Sequence, residues 1–269
     1  MGRIKKLSIL ILSLLICFST VQWEKTDSAS YCEAIPILTY HDIGDAKNPY
    51  TVKPQEFEDQ IKYLVQQGYT FLGPGDVDLF LKGKKKYPKK SIMLTFDDGC
   101  KGVYTYGYPV LKKYKVRVTL FVVSMFLEKV NFITFAELDE LVGSGLFFIG
   151  SHTYDSHHSY YYPHEKKNLP ATIRQVGETE SAYETRMLKD LKMSKEMLEV
   201  LYPHMLINTF AYPYGAYSPG LIKVLQKAGF QYAFAYNSHQ QTFLTRSSYA
   251  YTLERFPVFP GTPPNKLIK

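Results

Sequence analysis

Two aspartates, Asp97 and Asp98, stand side by side after the run Ser91-Ile92-Met93-Leu94-Thr95-Phe96 and just before Gly99. The run is short, apolar and β-branched, with Pro88 before it and Gly99 after it, and reads as a buried strand. Adjacent carboxylates at the tip of such a strand repel each other and are poorly solvated, so a proton or a cation between them is needed to keep both there. A simple turn also favours Asp and Gly for local reasons. A second polar cluster points beyond a turn. Leu146-Phe147-Phe148-Ile149 leads into Gly150-Ser151-His152-Thr153-Tyr154-Asp155-Ser156-His157-His158, which holds three of the seven histidines of the chain.

His152 and His157 are five positions apart. On a helix or a strand that separation turns them away from each other, so one metal can take both only if the segment is a curled loop, for which Thr153, Asp155 and Ser156 are suitable. One carboxylate with two imidazoles is a three-ligand set that leaves positions open, the mark of a catalytic metal. Zinc is the default ion, with cobalt, nickel and iron chemically acceptable. If one aspartate binds the ion, the other is free to accept a proton from water. His41, at the end of Ala34-Ile35-Pro36-Ile37-Leu38-Thr39-Tyr40, is then the candidate donor of a proton to a leaving group. Its simpler role is a strand end bonded to Asp42. His158 is the spare, at the surface or just behind the ligands.

The elements that must carry these groups alternate between strand and helix. Strands are expected at 34–40, 69–72, 91–96, 116–123, 209–212, 231–235 and 253–258. Helices are expected from Pro54 with Gly68 as a stop, over 76–81, over 103–114 despite Gly107 and Pro109, from the capping box Thr134/Glu137 to Gly145, over 178–201 with Leu188, Leu191, Leu198 and Leu201 on one stripe, and after Ser218-Pro219. Residues 160–176 read as a long connection rich in Tyr, Pro and Lys. The alternation predicts a parallel sheet with crossover helices, open or closed. Every polar cluster follows a strand, and four such strand ends gather more readily at the mouth of a (β/α) barrel than at the switch point of an open sheet.

At 269 residues and 45% hydrophobic content the chain can build one large core. Arg3, Lys5 and Lys6 precede an apolar run from Leu7 to Phe18 that is short for a bilayer span, and Ser28-Ala29-Ser30 offers small residues for cleavage. Residues 1–30 are therefore expected to be a signal peptide, with an uncleaved anchor as the alternative, and 31–269 a single domain. The net charge is +7; removing 1–30 takes away four positive and two negative charges and leaves +5. The densest basic cluster, Lys82, Lys84, Lys85, Lys86, Lys89 and Lys90, reads as a solvated loop, then as a contact with an anionic cell wall. No docking element for nucleic acid accompanies it. Cys32 and Cys100 fall too far apart along their strands to form a disulfide.

Thr95-Phe96-Asp97-Asp98-Gly99 together with Ser151-His152-Thr153 through His157 resembles the polysaccharide deacetylase domain (NodB homology, carbohydrate esterase family 4), over about Ile35 to Val258. Tyr40-His41-Asp42, the gap of four between the histidines, and Phe210-Ala211-Tyr212-Pro213-Tyr214-Gly215 are similar to the extracellular poly-β-1,6-N-acetylglucosamine deacetylases of biofilm formation. The resemblance implies a distorted (β/α) barrel of about seven strands, Asp97 as general base, and Asp98, His152 and His157 as metal ligands. It also implies His41 as general acid, the backbone N–H of Tyr214 in an oxyanion hole, and a secreted or surface-associated monomer acting on a polysaccharide. Deacetylases of peptidoglycan, chitin-type or O-acetylated glycans and a non-catalytic glycan-binding relative are the alternatives. The arginine that in many relatives precedes the Pro-Tyr pair is absent, Ala211 and Tyr212 standing there, and the family's aspartate and tryptophan motif has no counterpart. Both departures bear on the orientation and tuning of the base, and imply an enzyme slow compared with chitin or peptidoglycan deacetylases.

Overall fold

The computed structural model describes residues 31–162, 166–236 and 241–268; the expected signal peptide lies outside them. Residues from Tyr31 onward form one compact unit. Its centre is a ring of seven parallel strands: β1 (Ala34–Tyr40), β2 (Ser91–Phe96), β3 (Val118–Val122), β4 (Phe147–Ser151), β5 (Thr209–Ala211), β6 (Tyr232–Tyr236) and β7 (Leu253–Pro257). Each pairs with the next, and β7 returns to β1, so the sheet closes into a barrel. The ring is uneven. β3 and β4 share five paired positions, whereas β4 and β5 share only Ser151 with Phe210. This is the distorted barrel that the family resemblance implies.

Helices α1 (Pro54–Gln66), α2 (Pro74–Leu81), α3 (Tyr108–Tyr114), α4 (Phe135–Gly143), α5 (Glu180–Leu201) and α6 (Pro219–Lys227) complete the fold. Strands covered on both faces read as unbroken apolar runs, and every residue of β2 and β3 is buried. One core layer joins Leu38, Leu94, Leu120 and Ile149 to Phe57 and Ile61 of α1, Leu111 of α3 and Leu141 of α4. The alternate positions Ile37, Met93, Phe121, Phe234 and Leu253 form a second cluster. α4 starts as its sequence specifies: the Thr134 hydroxyl accepts the Glu137 N–H, and the Glu137 carboxylate accepts the Thr134 N–H.

Several expectations need correction. Residues 160–176 are not a plain connection: Ser159–Tyr162 and Lys167–Pro170 pair as an antiparallel hairpin beside the histidine loop. Phe243–Thr245 is a further strand, antiparallel to the start of β1. The helix expected over 103–114 divides into a π-helical turn, Val103–Gly107, and α3. Pro109 has no N–H to donate and its ring would crowd the carbonyl four residues back, so the wider turn absorbs the conflict. On α5 the buried face runs through Tyr183, Met187, Leu191, Ser194 and Leu198, and Leu201 is 37% exposed. Among the described residues no helix is long and apolar enough to cross a membrane.

Gly150 in β4 is needed for its lack of a side chain. A Cβ there would lie 2.5 Å from the Phe121 ring and 2.8 Å from the Thr209 hydroxyl oxygen. Gly150→Ala is expected to destabilise the fold by about 1–3 kcal/mol, read as a lower midpoint in urea with an unchanged slope.

Candidate active site

β1 and β2 run side by side with Thr39 opposite Thr95 and Tyr40 opposite Phe96. The ladder extends one step further, the Asp97 N–H donating to the Tyr40 carbonyl at 3.0 Å. His41 and Asp97 thus leave the barrel at the same level. Asp42 ties the next residues together: its carboxylate accepts the Ile43 N–H at 2.9 Å and the Thr51 hydroxyl at 3.3 Å. Gly102, at the start of the helical turn after Asp98, comes so close that a Cβ would meet the Ile43 carbonyl oxygen at 1.9 Å and Asp42 Oδ1 at 2.3 Å. Only glycine permits that approach.

His41, Asp97, Asp98, His152, His157 and Tyr214 all line one cavity of about 320 Å³ at the carboxyl ends of the strands. His152 directly follows β4, and its Nδ1 donates to the Ala211 carbonyl at 2.8 Å, which turns Nε2 toward Asp98. The loop after it does curl, beginning with Thr153 at φ +86°. The curl brings His157 Nε2 to 3.2 Å from Asp98 Oδ1, with His152 Nε2 at 3.4 Å from the same oxygen. His158 stays outside this group, its ring bonded to the Asp155 carbonyl and the Tyr160 hydroxyl.

Asp98 Oδ1 is buried yet makes no aligned hydrogen bond. A buried acceptor left so is an anomaly that a cation removes. One ligand atom from each of Asp98, His152 and His157 lies within 4.8 Å of the others. A tetrahedral ion with bonds of about 2.0–2.1 Å places its ligand atoms about 3.3 Å apart. The separations from Asp98 match that spacing, so these three residues fit a divalent ion with nitrogen and oxygen preference. Burial works against ionising Asp98, and the two imidazoles outweigh it, so its carboxyl is held well below the usual range. Burial and then the charge of His152 push His157 down to about 4. Burial also disfavours a charged His152, but Asp97 and Asp98 raise it on balance. The pocket is electrostatically suited to one cation shared among the three.

Sequence reasoning missed the partner of Asp97. Arg255, fully buried in β7, grips the carboxylate with both ends of its guanidinium, Nη1 to Oδ1 at 2.6 Å and Nη2 to Oδ2 at 2.7 Å. Nη1 also reaches the hydroxyls of Thr39 at 3.2 Å and Thr95 at 3.1 Å, and Nε reaches the Ala235 carbonyl at 3.3 Å. Burial opposes an ionised Asp97, and Arg255 together with the nearby imidazoles of His152 and His41 outweighs it, so the carboxyl lies below its ordinary range. The orientation of the base, left open by the absent arginine, is supplied by a guanidinium that arrives from β7 instead. The available signal was the alternation Leu253-Glu254-Arg255-Phe256-Pro257, in which Arg255 shares the buried phase with Leu253 and Pro257.

Tyr214 sits in the 3-10 turn Pro213–Gly215 with φ +58°, and its ring centroid is 4.9 Å from that of His157. Its N–H belongs to the first turn, where backbone donors have no partner inside the helix. Asp98 at φ +72° and Thr153 at φ +86° are likewise left-handed. Three of the seven left-handed non-glycine residues among those described thus stand at or beside the site, the others being Lys115, Glu128, Asn131 and Lys166. Cys100 also lines the cavity, and Cys32 is a separate free thiol, as expected.

A family model described as polysaccharide deacetylase matches residues 84–233. The poly-β-1,6-N-acetyl-D-glucosamine N-deacetylase of Staphylococcus aureus is 32% identical over 224 residues, 81% of this chain and 71% of that protein. Among solved structures, IcaB from Ammonifex degensii superposes with a TM-score of 0.73 at 28% identity, covering 87% of this chain and 95% of that one. A de-N-acetylase from Aggregatibacter actinomycetemcomitans has the same fold, with a TM-score of 0.73 at 22% identity over 83% of this chain and 94% of the other.

Removing Arg255 leaves Asp97 as a buried charge without its partner. Arg255→Met is expected to destabilise the protein by about 3–5 kcal/mol, measured by chemical denaturation at neutral pH. Arg255→Lys, which keeps the charge but loses the two-pronged geometry, should fall between the variant and the wild type.

Proposed function

The chain belongs to the polysaccharide deacetylase family and is an N-deacetylase, a hydrolase of amide bonds, and from that premise we propose that it deacetylates poly-β-1,6-N-acetylglucosamine outside the cell with the help of one divalent ion. The observation that carries the reading is the convergence of Asp98, His152 and His157 on one point, with Asp97 beside it bonded to Arg255 instead. The sequence similarity to the staphylococcal enzyme supports the choice of glycan. The leader-like residues 1–30 support export and action at the cell surface.

Asp98 and the Nε2 atoms of His152 and His157 would hold the ion, zinc by preference. When bound, it supplies Lewis acidity, polarising the acetamide carbonyl and acidifying a water next to Asp97. Asp97 accepts a proton from the attacking water as the new carbon–oxygen bond forms. Arg255 keeps both carboxylate oxygens oriented and the group ionised before the water arrives, so no reorganisation is needed in the reaction itself. The Tyr214 N–H donates to the developing oxyanion. His41 then gives a proton to the nitrogen as the carbon–nitrogen bond breaks, and acetate and a free amine leave. The ring of Tyr50, 5.0 Å from that of His41, bounds the cavity on the side from which the proton comes.

Two outcomes test the proposal. His41→Ala should lower kcat for acetate release by about 10²–10⁴-fold with an unchanged circular dichroism spectrum; wild-type turnover would remove His41 from the mechanism. Acetate release from β-1,6-linked N-acetylglucosamine oligomers should exceed that from β-1,4-linked ones, stop with a chelator and return with zinc or cobalt. A preference for the β-1,4 series would redirect the reading to chitin-type or peptidoglycan substrates.

A further inference from the structure

His152 and His157 differ in how their rings are held. His152 is fixed through Nδ1 by the Ala211 carbonyl. The His157 ring packs against Tyr214 and Phe126, centroids 4.9 and 5.8 Å away, and among the described residues no carbonyl of another residue holds it. The position of His157 therefore follows the path of its backbone.

That path is held from two sides. On one, the turn after β3 contributes the Ser124 N–H to the Thr153 carbonyl at 3.1 Å and the Met125 N–H to the Tyr154 carbonyl at 2.9 Å. On the other, α5 contributes one carboxylate. Asp190 Oδ1 accepts the Tyr154 N–H at 3.0 Å, and Oδ2 accepts the Asp155 N–H and the Ser156 hydroxyl, each at 2.9 Å. One turn along the same helix, the buried Ser194 hydroxyl bridges those of Ser151 at 2.7 Å and Ser124 at 3.2 Å. Ser151 Oγ in turn accepts the Thr153 N–H at 3.2 Å.

An ionised acceptor holds its donors about twice as strongly as a neutral one. Here a single carboxylate gathers donors from three successive residues just before His157. We propose that Asp190 is a positioning residue for the divalent ion: by binding Tyr154, Asp155 and Ser156 it fixes the curl that faces His157 toward Asp98 and His152, and so sets the affinity of the site. The inference rests on the metal-site reading above. Outer partners that orient ligands typically contribute a factor of about 10–100 in metal affinity.

The test is a zinc titration of the metal-stripped full chain in competition with a chromogenic chelator, for wild type, Asp190→Asn and Ser156→Ala, with the thermal midpoint of each stripped protein recorded alongside. The wild type should take up one equivalent. Asp190→Asn should bind about 10–100-fold more weakly; Ser156→Ala, losing one of the three bonds, should weaken binding by a smaller factor, with its stripped midpoint unchanged. A folded Asp190→Asn chain with wild-type affinity overturns the proposal, including one that melts earlier, since Asp190 would then be structural only. If Asp190→Asn does not fold, wild-type affinity in Ser156→Ala overturns it. A wild-type chain that takes up no zinc overturns the metal-site reading and this inference with it.

Discussion

The paired contact between Arg255 and Asp97 is the constraint on which the rest of the site depends. Two charges are removed from water at the mouth of a closed barrel, and each is tolerable only because of the other. The pair also has a topological consequence. Asp97 stands at the end of β2 and Arg255 within β7, on opposite sides of β1, and the Thr39 hydroxyl between them accepts a bond from the same guanidinium. The interaction that orients the base therefore spans the three strands where the ring closes. With both oxygens of Asp97 engaged, the neighbouring carboxylate is left to the imidazoles, and the two aspartates acquire different roles from different surroundings.

The remaining geometry follows from where the strands stop. Asp98, Thr153 and Tyr214 all take left-handed backbone immediately after β2, β4 and β5. Each of these turns reverses the backbone locally between a strand and the segment that follows it. Such conformations cost free energy and persist because rigid neighbours hold them. Here the neighbours are the adjacent strand ends, the turn after β3 and the polar face of α5. The cavity is small and its polar groups converge, and the exposed aromatic rings of Tyr50 and Tyr214 stand at its edge, as suits a sugar ring presenting an acetamide.

Much of this was legible in the residue pattern. Buried strands announce themselves as apolar runs, which is why the bounds of β1 and β2 are recovered to the residue, and capping chemistry marked the start of α4. The convergence of His41, Asp97, Asp98, His152, His157 and Tyr214 followed from their common place after strands. What was not legible depended on partners distant in sequence. The paired strands Ser159–Tyr162 and Lys167–Pro170 are exposed or half-buried along their length, with no buried face, so they have no hydrophobic period to read. Leu201 continues an apolar stripe on paper but lies at the end of α5, past the surface that covers the others. Arg255 lies 158 positions from Asp97, and nothing local to Asp97 requires it. Asp190 was equally hidden, since a lone acid on a helix reads as a solvated side chain until the loop that it holds is seen.

The central claim is that one ion belongs to Asp98, His152 and His157 while Asp97 stays with Arg255. Anomalous diffraction at the zinc edge from crystals of the zinc-loaded protein tests it most directly. The account predicts a single strong peak within bonding distance of one Asp98 oxygen and both Nε2 atoms, with the Asp97–Arg255 pair intact. A peak elsewhere, or one bonded to Asp97 with Arg255 displaced, would contradict it.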